Sequence, residues 1–368
     1  MNELTWSQVS ARRLARQGLA GGLSSPAEVA AAQCGTHAQI MSAAELSIAL
    51  RVPGATRQTV RQALWEDGTL VKTYGPRGTV HLLATADLPA WVGAMGTIPL
   101  TLPPFCTLEQ AERVIAALGA VLAGRELTID EVTEALADEA GPWAAEKVMP
   151  AFQDMWPRWR AVTHFAGHRG ALCFGRDKGR KVTLTAPLPF VPDPAGPQTL
   201  ARHYLHAYGP ATPQRFARWA GASVRWASEA FGLLELEEVA FGGERAWVLK
   251  GDTDFPGEPG TRAEGTLLLP YFDAYAIAAQ PRELLYAGRA WERALSRGQA
   301  GNFPVVLVDG VVKGVWHQRR TGKKIAIRVE MFDGGEPAGL AEQARRVGEI
   351  LEGTPELTLG EVTVGAHA

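Results

Sequence analysis

The chain has 368 residues, with 37 Lys and Arg against 39 Asp and Glu and a formal net charge of −2. At 46% hydrophobic and 21% charged it carries enough apolar material for roughly two to four domains. The near-zero charge argues against a protein that coats nucleic acid by bulk basicity, and three distant cysteines (Cys34, Cys106, Cys173) exclude a disulfide framework and point to a reducing compartment.

From the N-terminus, Ser7–Ala20 reads as a helix with Val9, Leu14 and Leu19 on its apolar face. Arg12, Arg13 and Arg16 with no apolar core behind them do not make a secretory signal. After a polar loop, Ser42–Leu50 is expected to be a helix opened by Ser42 and Glu45 at capping-box spacing. Thr56–Glu66 is a third helix, with Arg57 and Arg61 four residues apart on one face. Leu70–Tyr74 and Thr79–Ala84, joined by Gly75-Pro76-Arg77-Gly78, complete a helix-helix-helix-hairpin outline, that of a winged helix. The uncharged run Leu88–Leu108 is long enough to span a bilayer, but Pro89, Pro99, Pro103 and Pro104 break it, so it reads as a linker.

A second unit follows with helices over Leu108–Leu122 and from Thr128-Ile129-Asp130-Glu131, another capping box, to about Ala137. A longer helical stretch over Ala144–Val162 is interrupted by Pro150 and Pro157, and Ala171–Phe174 with Lys181–Thr185 forms the hairpin. A third has helices near Leu200–Tyr208, Pro213–Ala220 and Ser223–Leu233, closed by Leu236–Phe241 and Arg245–Lys250 around Gly242-Gly243. Beyond Thr266 the chain turns strand-rich, with Leu267–Leu269, Val305–Val308 and Lys324–Val329, then a helix over Pro337–Leu351 and a strand over Glu356–Val364. The expected architecture is α+β. Three tandem winged helices (1–100, 101–190, 191–260) precede a strand-rich region at 261–368.

Charge is segregated along this framework. Glu109–Glu146 holds nine acidic residues and two basic ones, whereas Trp156–Lys181 carries seven basic residues against Asp177 alone. Lys313–Arg328 has six basic residues and no acidic one, and the tail from Met331 returns to seven acidic and two basic. Basic hairpin tips beside recognition-type helices suit a surface that tracks phosphates. Arg51, Arg57, Arg61, Arg77, Arg176, Lys178, Arg180, Lys181, Arg319, Arg320, Lys323 and Lys324 are the candidate DNA contacts. An isolated basic turn is more often a solvated one, but two basic segments and the first-unit arginines favour nucleic acid.

No nucleophile elbow, Walker A loop or dinucleotide fingerprint occurs. His164/His168 lacks the intervening glutamate of a zinc protease, and His203/His206 and Cys34/His37 lack further ligands, so neither metal nor organic cofactor is expected. What remains is Gly35-Thr36-His37-Ala38-Gln39 before Ser42: on extended backbone, positions i and i+2 point the same way, so His37 and Gln39 are expected to face one pocket.

These residues, with the Arg-rich first helix, Arg77-Gly-Thr-Val-His81 and Asp87, Tyr208-Gly-Pro-Ala-Thr-Pro213 with Phe216 and Trp219, Leu268-Leu-Pro-Tyr-Phe272-Asp273, and Val306-Leu-Val-Asp309-Gly310 with Gly314 and Trp316, resemble the AlkZ/YcaQ-like winged-helix DNA glycosylases in order and over most of the chain. The resemblance implies tandem winged helices in a C around double-stranded DNA, and excision of alkylated purines (N7 or N3 cations, in some members bulky adducts or interstrand crosslinks) to leave an abasic site. It implies a bacterial, cytoplasmic, nucleoid-associated monomer. The family's catalytic motif is Gln-x-Gln or Gln-x-Asp at the segment matching 37–39. Only Gln39 carries over unchanged, and His37 takes the first position. Ser42 and Asp273 are candidate supports of the site, Asp273 either paired with a catalytic-loop group or holding a turn. The hairpin of Arg319, Arg320, Lys323 and Lys324 either probes DNA near the lesion or clamps phosphate.

A cationic purine leaves as a neutral base, so a positioned water and a stabilised sugar cation suffice. A glutamine amide can orient that water and a neutral histidine can take its proton. Protonated His37 would repel the cationic base and the developing sugar cation, so activity is expected to decline as pH drops below about 6.5. The competing readings are a non-catalytic tandem winged-helix protein, regulatory or architectural, and a scaffold that does not touch DNA.

Overall fold

In the computed structural model, which describes residues 3–151, 154–255 and 265–364, the first helix runs Trp6–Arg16 and is opened by a reciprocal cap between Thr5 and Gln8. The loop expected before residue 42 holds a further helix, Pro26–Ala32, capped by Ser25 with proline in its first turn. The next helix, Met41–Ala49, starts without a side-chain cap, and the capping box expected at Ser42 and Glu45 does not form. Thr36–His37 is drawn into a strand, and the helix begins at Met41 with Ile40 in the cap position, which puts Ser42 and Glu45 two residues too deep to act as cap and partner.

From Ala43 to Ala49 every side chain of that helix is buried, Glu45 and Ser47 included. A helix covered on all sides has no solvated face for its polar groups, so each must find an internal partner. Glu45 pairs with Arg61 at 2.6 Å, and the Ser47 hydroxyl donates to Asp273 Oδ2 at 2.7 Å.

Helix Arg57–Trp65 and the hairpin Leu70–Tyr74/Val80–Ala84 form where expected, with Thr36–His37 added as a third strand, His37 opposite His81. The run expected to be a linker is helical over Leu88–Met95 and packs on helix Gly196–Tyr208. The crossing is close: a Cβ at Gly196 would lie 2.5 Å from the Ala90 carbonyl oxygen.

In the second unit, Leu108–Leu122 and Ile129–Glu139 match, the latter opened by the Thr128–Glu131 box. The helix expected over Ala144–Val162 is not there, residues 152–153 lying outside the described ones. In its place are a short hairpin, Lys147–Pro150 with Met155–Pro157, a 3₁₀ turn over Arg158–Val162 and helix Thr163–His168. Pro150 and Pro157 sit where a helix would need their N–H groups. Cys173–Phe174 and Thr183–Thr185 pair as a minimal hairpin, with Leu127–Thr128 alongside. The third unit forms helices Gly196–Tyr208, Pro213–Ala220 and Val224–Gly232 and the hairpin Leu236–Phe241/Glu244–Leu249.

The strand-rich region is a five-stranded sheet ordered Thr266–Leu269, Val305–Val308, Val311–Thr321, Lys324–Met331, Thr354–Leu359. Its last pair is parallel, which requires a crossover, and helix Leu340–Ile350 supplies it. The boundary expected at 260/261 falls among residues 256–264, outside the described ones.

The hydrophobic cores cross the expected units. Val60, Leu64 and Leu82 share a core with Ile325, Ile327 and Leu340, and the first helix sends Val9 against Phe241 and Leu14 among Tyr275, Leu285 and Val305. Glu3–Leu4 even pairs in parallel with Leu236–Phe241. Among the described residues only the core around Leu118, Leu136 and Trp159 stays chiefly within one unit. Among the described residues no helix is long and apolar enough to cross a membrane.

Candidate active site

His37 is 6% exposed, held in a strand against His81 and covered by Phe272, whose ring stacks on the imidazole at a centroid distance of 4.4 Å. His81 meets it edge-on at 5.2 Å. Phe272 reaches this position through a left-handed backbone (φ 54°), anchored by its N–H donating to the Gly301 carbonyl at 3.1 Å. Gly301 must be glycine here, since a Cβ would lie 2.8 Å from the Phe272 ring.

The Gln39 N–H donates to His37 Nδ1 at 3.5 Å, which places the proton of a neutral ring on Nε2. Burial first, and then the nearby Arg77 charge, push the His37 pKa down to about 4. The imidazole is therefore neutral at physiological pH.

His37 and Gln39 do not share one cavity. His37 lines a space of about 410 Å³ with Arg77, Arg218, Trp219, Phe272 and Arg282. Gln39 is exposed and lines a neighbouring one with Tyr74, Val80, Asp130, Trp159 and Phe174. Alternation requires a strand that continues, and this one ends at His37: Ala38 still donates to the Val80 carbonyl at 2.7 Å, but the chain bends at Gln39 and Ile40. The Gln39 Oε1 instead accepts from the Val80 N–H at 3.5 Å.

Asp273 is buried and bound in a fork by Arg51, Nη1 to Oδ2 and Nη2 to Oδ1, both at 2.9 Å. It also caps helix Ala274–Ala278 through the Tyr275 N–H. Asp273 thus anchors the residue next to Phe272 rather than touching the cavity. Arg51 is removed from the DNA contacts by the same bond, because both side chains are fully buried. Ser42 lies exposed on the first turn of its helix and makes no cap.

The other expected DNA contacts divide by their partners. Arg57 is tied to Glu352, Arg61 to Glu45, Arg176 to Glu66, Lys178 to Glu131, Lys181 to Asp130 and Lys324 to Glu356. Arg320 donates to the Leu351 and Gly322 carbonyls. The basic segment ending at Lys181 therefore lies against the acidic one at 109–146, and charge separated along the chain is paired in space. Arg180, Arg319 and Lys323 are exposed and form no ion pair among the described residues. Exposed pairs contribute little and yield to a phosphate.

Arg215, Arg218, Arg282 and Phe272 join the site although charge patterning did not single them out. Arg215 and Arg218 sit three residues apart on helix Pro213–Ala220, the one signal the sequence carried. The described residues contain no group of three or more His, Cys, Asp or Glu placed to hold a metal.

Four histidines are held neutral here. Burial lowers His37 and His164 to about 4 and His81 and His168 below their ordinary value, His168 despite Nε2 meeting the Gly75 carbonyl at 2.8 Å. In the unfolded chain each would take a proton below about pH 6.5. Their contribution is present above that pH and is lost as pH falls from 6.5 through 4, since the unfolded state then binds more protons. Thermal melts should show a Tm that falls steeply between pH 6.5 and 4.5, and His164→Gln should flatten that slope.

A model of the DNA glycosylase AlkZ-like family matches residues 30–350. An interstrand DNA cross-link repair glycosylase of Streptomyces sahachiroi is 32% identical over 340 residues, covering 85% of this chain and 87% of that protein. The solved structure of the Streptomyces sahachiroi DNA glycosylase AlkZ aligns with a TM-score of 0.79 at 26% identity, over 98% of this chain and 100% of that one.

Proposed function

This chain belongs to the DNA glycosylase AlkZ-like family and is a DNA glycosylase, and from that premise we propose that it hydrolyses the N-glycosidic bond of cationic N7- or N3-alkylated purines in duplex DNA, leaving an abasic site. The observation that carries the reading is the chemistry of the cavity beside His37. Its lining contains a neutral imidazole and arginines but no Asp or Glu. Glycoside hydrolysis on an unactivated leaving group uses a carboxylic acid to protonate it and a second carboxylate opposite. The carboxylate of the neighbouring Gln39 cavity, Asp130, is exposed and paired with Lys181, so the arrangement suits a leaving group that already carries positive charge and departs as a neutral base.

In this reading His37 Nε2 and the Gln39 amide approach the sugar from neighbouring cavities. Gln39 orients the water through one donor and one acceptor, and the imidazole, neutral because it is buried, adds no charge to repel the developing sugar cation. Bulky adducts and crosslinks fall within the same chemistry, since each is attached through the same cationic purine. We take the three helix-and-hairpin units as winged helices presenting one DNA face, the protein acting as a monomer near the nucleoid. Arg180, Arg319 and Lys323 track phosphates at its hairpin tips, and Arg57, Arg176, Lys178, Lys181, Arg320 and Lys324 join them where DNA displaces their surface partners, whereas Arg61 stays with the buried Glu45.

The test incubates the purified protein with duplex containing N7-methylguanine and scores alkali-labile strand breaks. We expect breaks with the wild type and a loss of about 10²-fold or more in single-turnover rate for Gln39→Ala at unchanged DNA affinity. No excess breaks over a panel of N7- and N3-alkylpurines would overturn the substrate assignment.

A further inference from the structure

The cavity behind His37 is built from four guanidinium groups of three separate segments. Arg77 comes from the turn of the first hairpin, Arg215 and Arg218 from helix Pro213–Ala220, and Arg282 from the short helix Arg282–Leu285. Among the described residues only Arg215 has a carboxylate partner, Glu244. Arg77 is held by the Trp219 carbonyl at 2.8 Å and Arg282 by the Gly298 carbonyl at 2.8 Å, which position the groups without neutralising them. Arg218 is exposed and has no ion pair among the described residues.

Two polar atoms in this cluster, Arg215 Nη1 and Arg282 Nε, are buried and hydrogen-bond to nothing among the described residues. Leaving charged donors desolvated and unmatched is costly, so a native cluster of this kind implies an anion that completes it. Burial lowers the proton affinity of Arg77 and Arg282, and the Arg282 charge acts on Arg77 as the Arg218 charge acts on Arg282. The groups remain cations, but they repel one another until an anion arrives. Planar forks that converge in this way suit a phosphate oxygen pair.

The charge also says what the cavity cannot take. A cationic alkylpurine has the area to lie against Trp219 and Phe272, which line the same space, but four arginines would repel it. We propose that this cavity is a phosphate site, which seats a backbone phosphate of the strand being cut beside His37 and leaves the alkylated base outside it, on the Gln39 side. The proposal rests on the DNA glycosylase reading. It adds Arg218 and Arg282 as substrate-positioning residues, because a phosphate clamped there fixes the adjoining sugar against the imidazole.

The experiment uses the full-length protein and a set of duplexes, each with N7-methylguanine and one methylphosphonate, a neutral linkage, at a successive position around the lesion. Single-turnover excision is measured for the wild type and Arg218→Ala, whose exposed side chain supports no core. We expect one linkage next to the lesion at which the neutral substitution slows the wild type about 10- to 100-fold. Arg218→Ala should slow the ordinary duplex to a similar extent, and the two changes together should do no more than either alone. Effects that multiply at every linkage would overturn the phosphate site. So would competition by inorganic phosphate with no linkage-specific coupling, which would assign the cavity to a free anion. If the wild type failed to excise from the all-phosphodiester duplex, the substrate reading itself would fall, a separate result read before any arginine is changed.

Discussion

Replacing His37 with alanine should lower single-turnover excision by about 10²- to 10⁴-fold, the range for losing a positioned acid–base or water-orienting group, while duplex affinity stays close to wild type. His37→Gln is the sharper variant. The resemblance in sequence implies glutamine at this position, and its amide N–H can orient a water as the His37 Nε2–H does, so this variant should retain most of the rate; a loss as deep as that of alanine would mean that the imidazole takes the proton through its other tautomer. The pH dependence separates the roles further. Because the imidazole is pushed down to about 4 by burial and by Arg77, the neutral form persists through pH 5–8, and the rate should be flat there and fall only as pH approaches 4. This corrects the decline below about pH 6.5 expected for His37 from the sequence, because burial, which spacing along the chain does not show, moves it down by more than two pH units. Protonation below that point would set a positive charge beside Arg77 and the developing sugar cation. His37→Gln has no titrating group at this position, so its profile should lose the His37 limb. Rates measured under conditions where circular dichroism shows native fold would check both, and a wild-type decline already centred at 6.5 would contradict the buried-imidazole account.

Arg51→Ala should cost about 3–5 kcal/mol of stability, the largest loss expected from any single substitution considered for this protein. The side chain is fully buried, and besides the fork to Asp273 it donates from Nε to the Gln17 carbonyl at 2.9 Å and from Nη1 to the Ser47 carbonyl at 2.7 Å. Its removal strands a buried carboxylate and the Gln17 and Ser47 carbonyls. The chain would then protonate Asp273 or admit water, and Phe272, next in sequence, would lose its seat over His37. Asp273→Asn should be milder, since the amide can keep the Tyr275 cap and one bond to Arg51. Urea unfolding of the two single variants and of Arg51→Met/Asp273→Asn tests this. The double variant should be more stable than Arg51→Ala, because no unpaired charge remains buried.

Local signals carried much of the fold. The cap residues Thr56 and Thr128, the proline and αL glycine that bound Pro213–Ala220, and the alternation in Lys324–Met331 each act over a few residues, so those elements lie where the chain pattern puts them. A longer-range partner overrules the local preference at two places. Ser42 and Glu45 have the right spacing for a cap, but pairing of Thr36–His37 with Leu82 and His81 set the helix start one residue earlier, and Arg61 took the glutamate. Leu88–Met95 reads as a linker because it is apolar and contains Pro89, whereas proline in a first helical turn is compatible with a helix buried on all sides.

The site divides in the same manner. The sequence by itself determined the family, the α+β composition and the His37-x-Gln39 segment, because these depend on residue identity and short spacing. The tertiary structure decided which groups meet. It placed His37 and Gln39 at separate cavities where the strand ends, brought Phe272 and Asp273 across more than 220 positions to the His37 and Arg51 segments, and gathered Arg77, Arg218 and Arg282 around one space. It also paired the acidic and basic stretches whose separation along the chain suggested an open basic surface. The physical reason is range: capping and alternation act within a turn or a strand and leave a trace in spacing, whereas burial, desolvation and ion pairing depend on which segments pack together, and spacing along the chain does not record it.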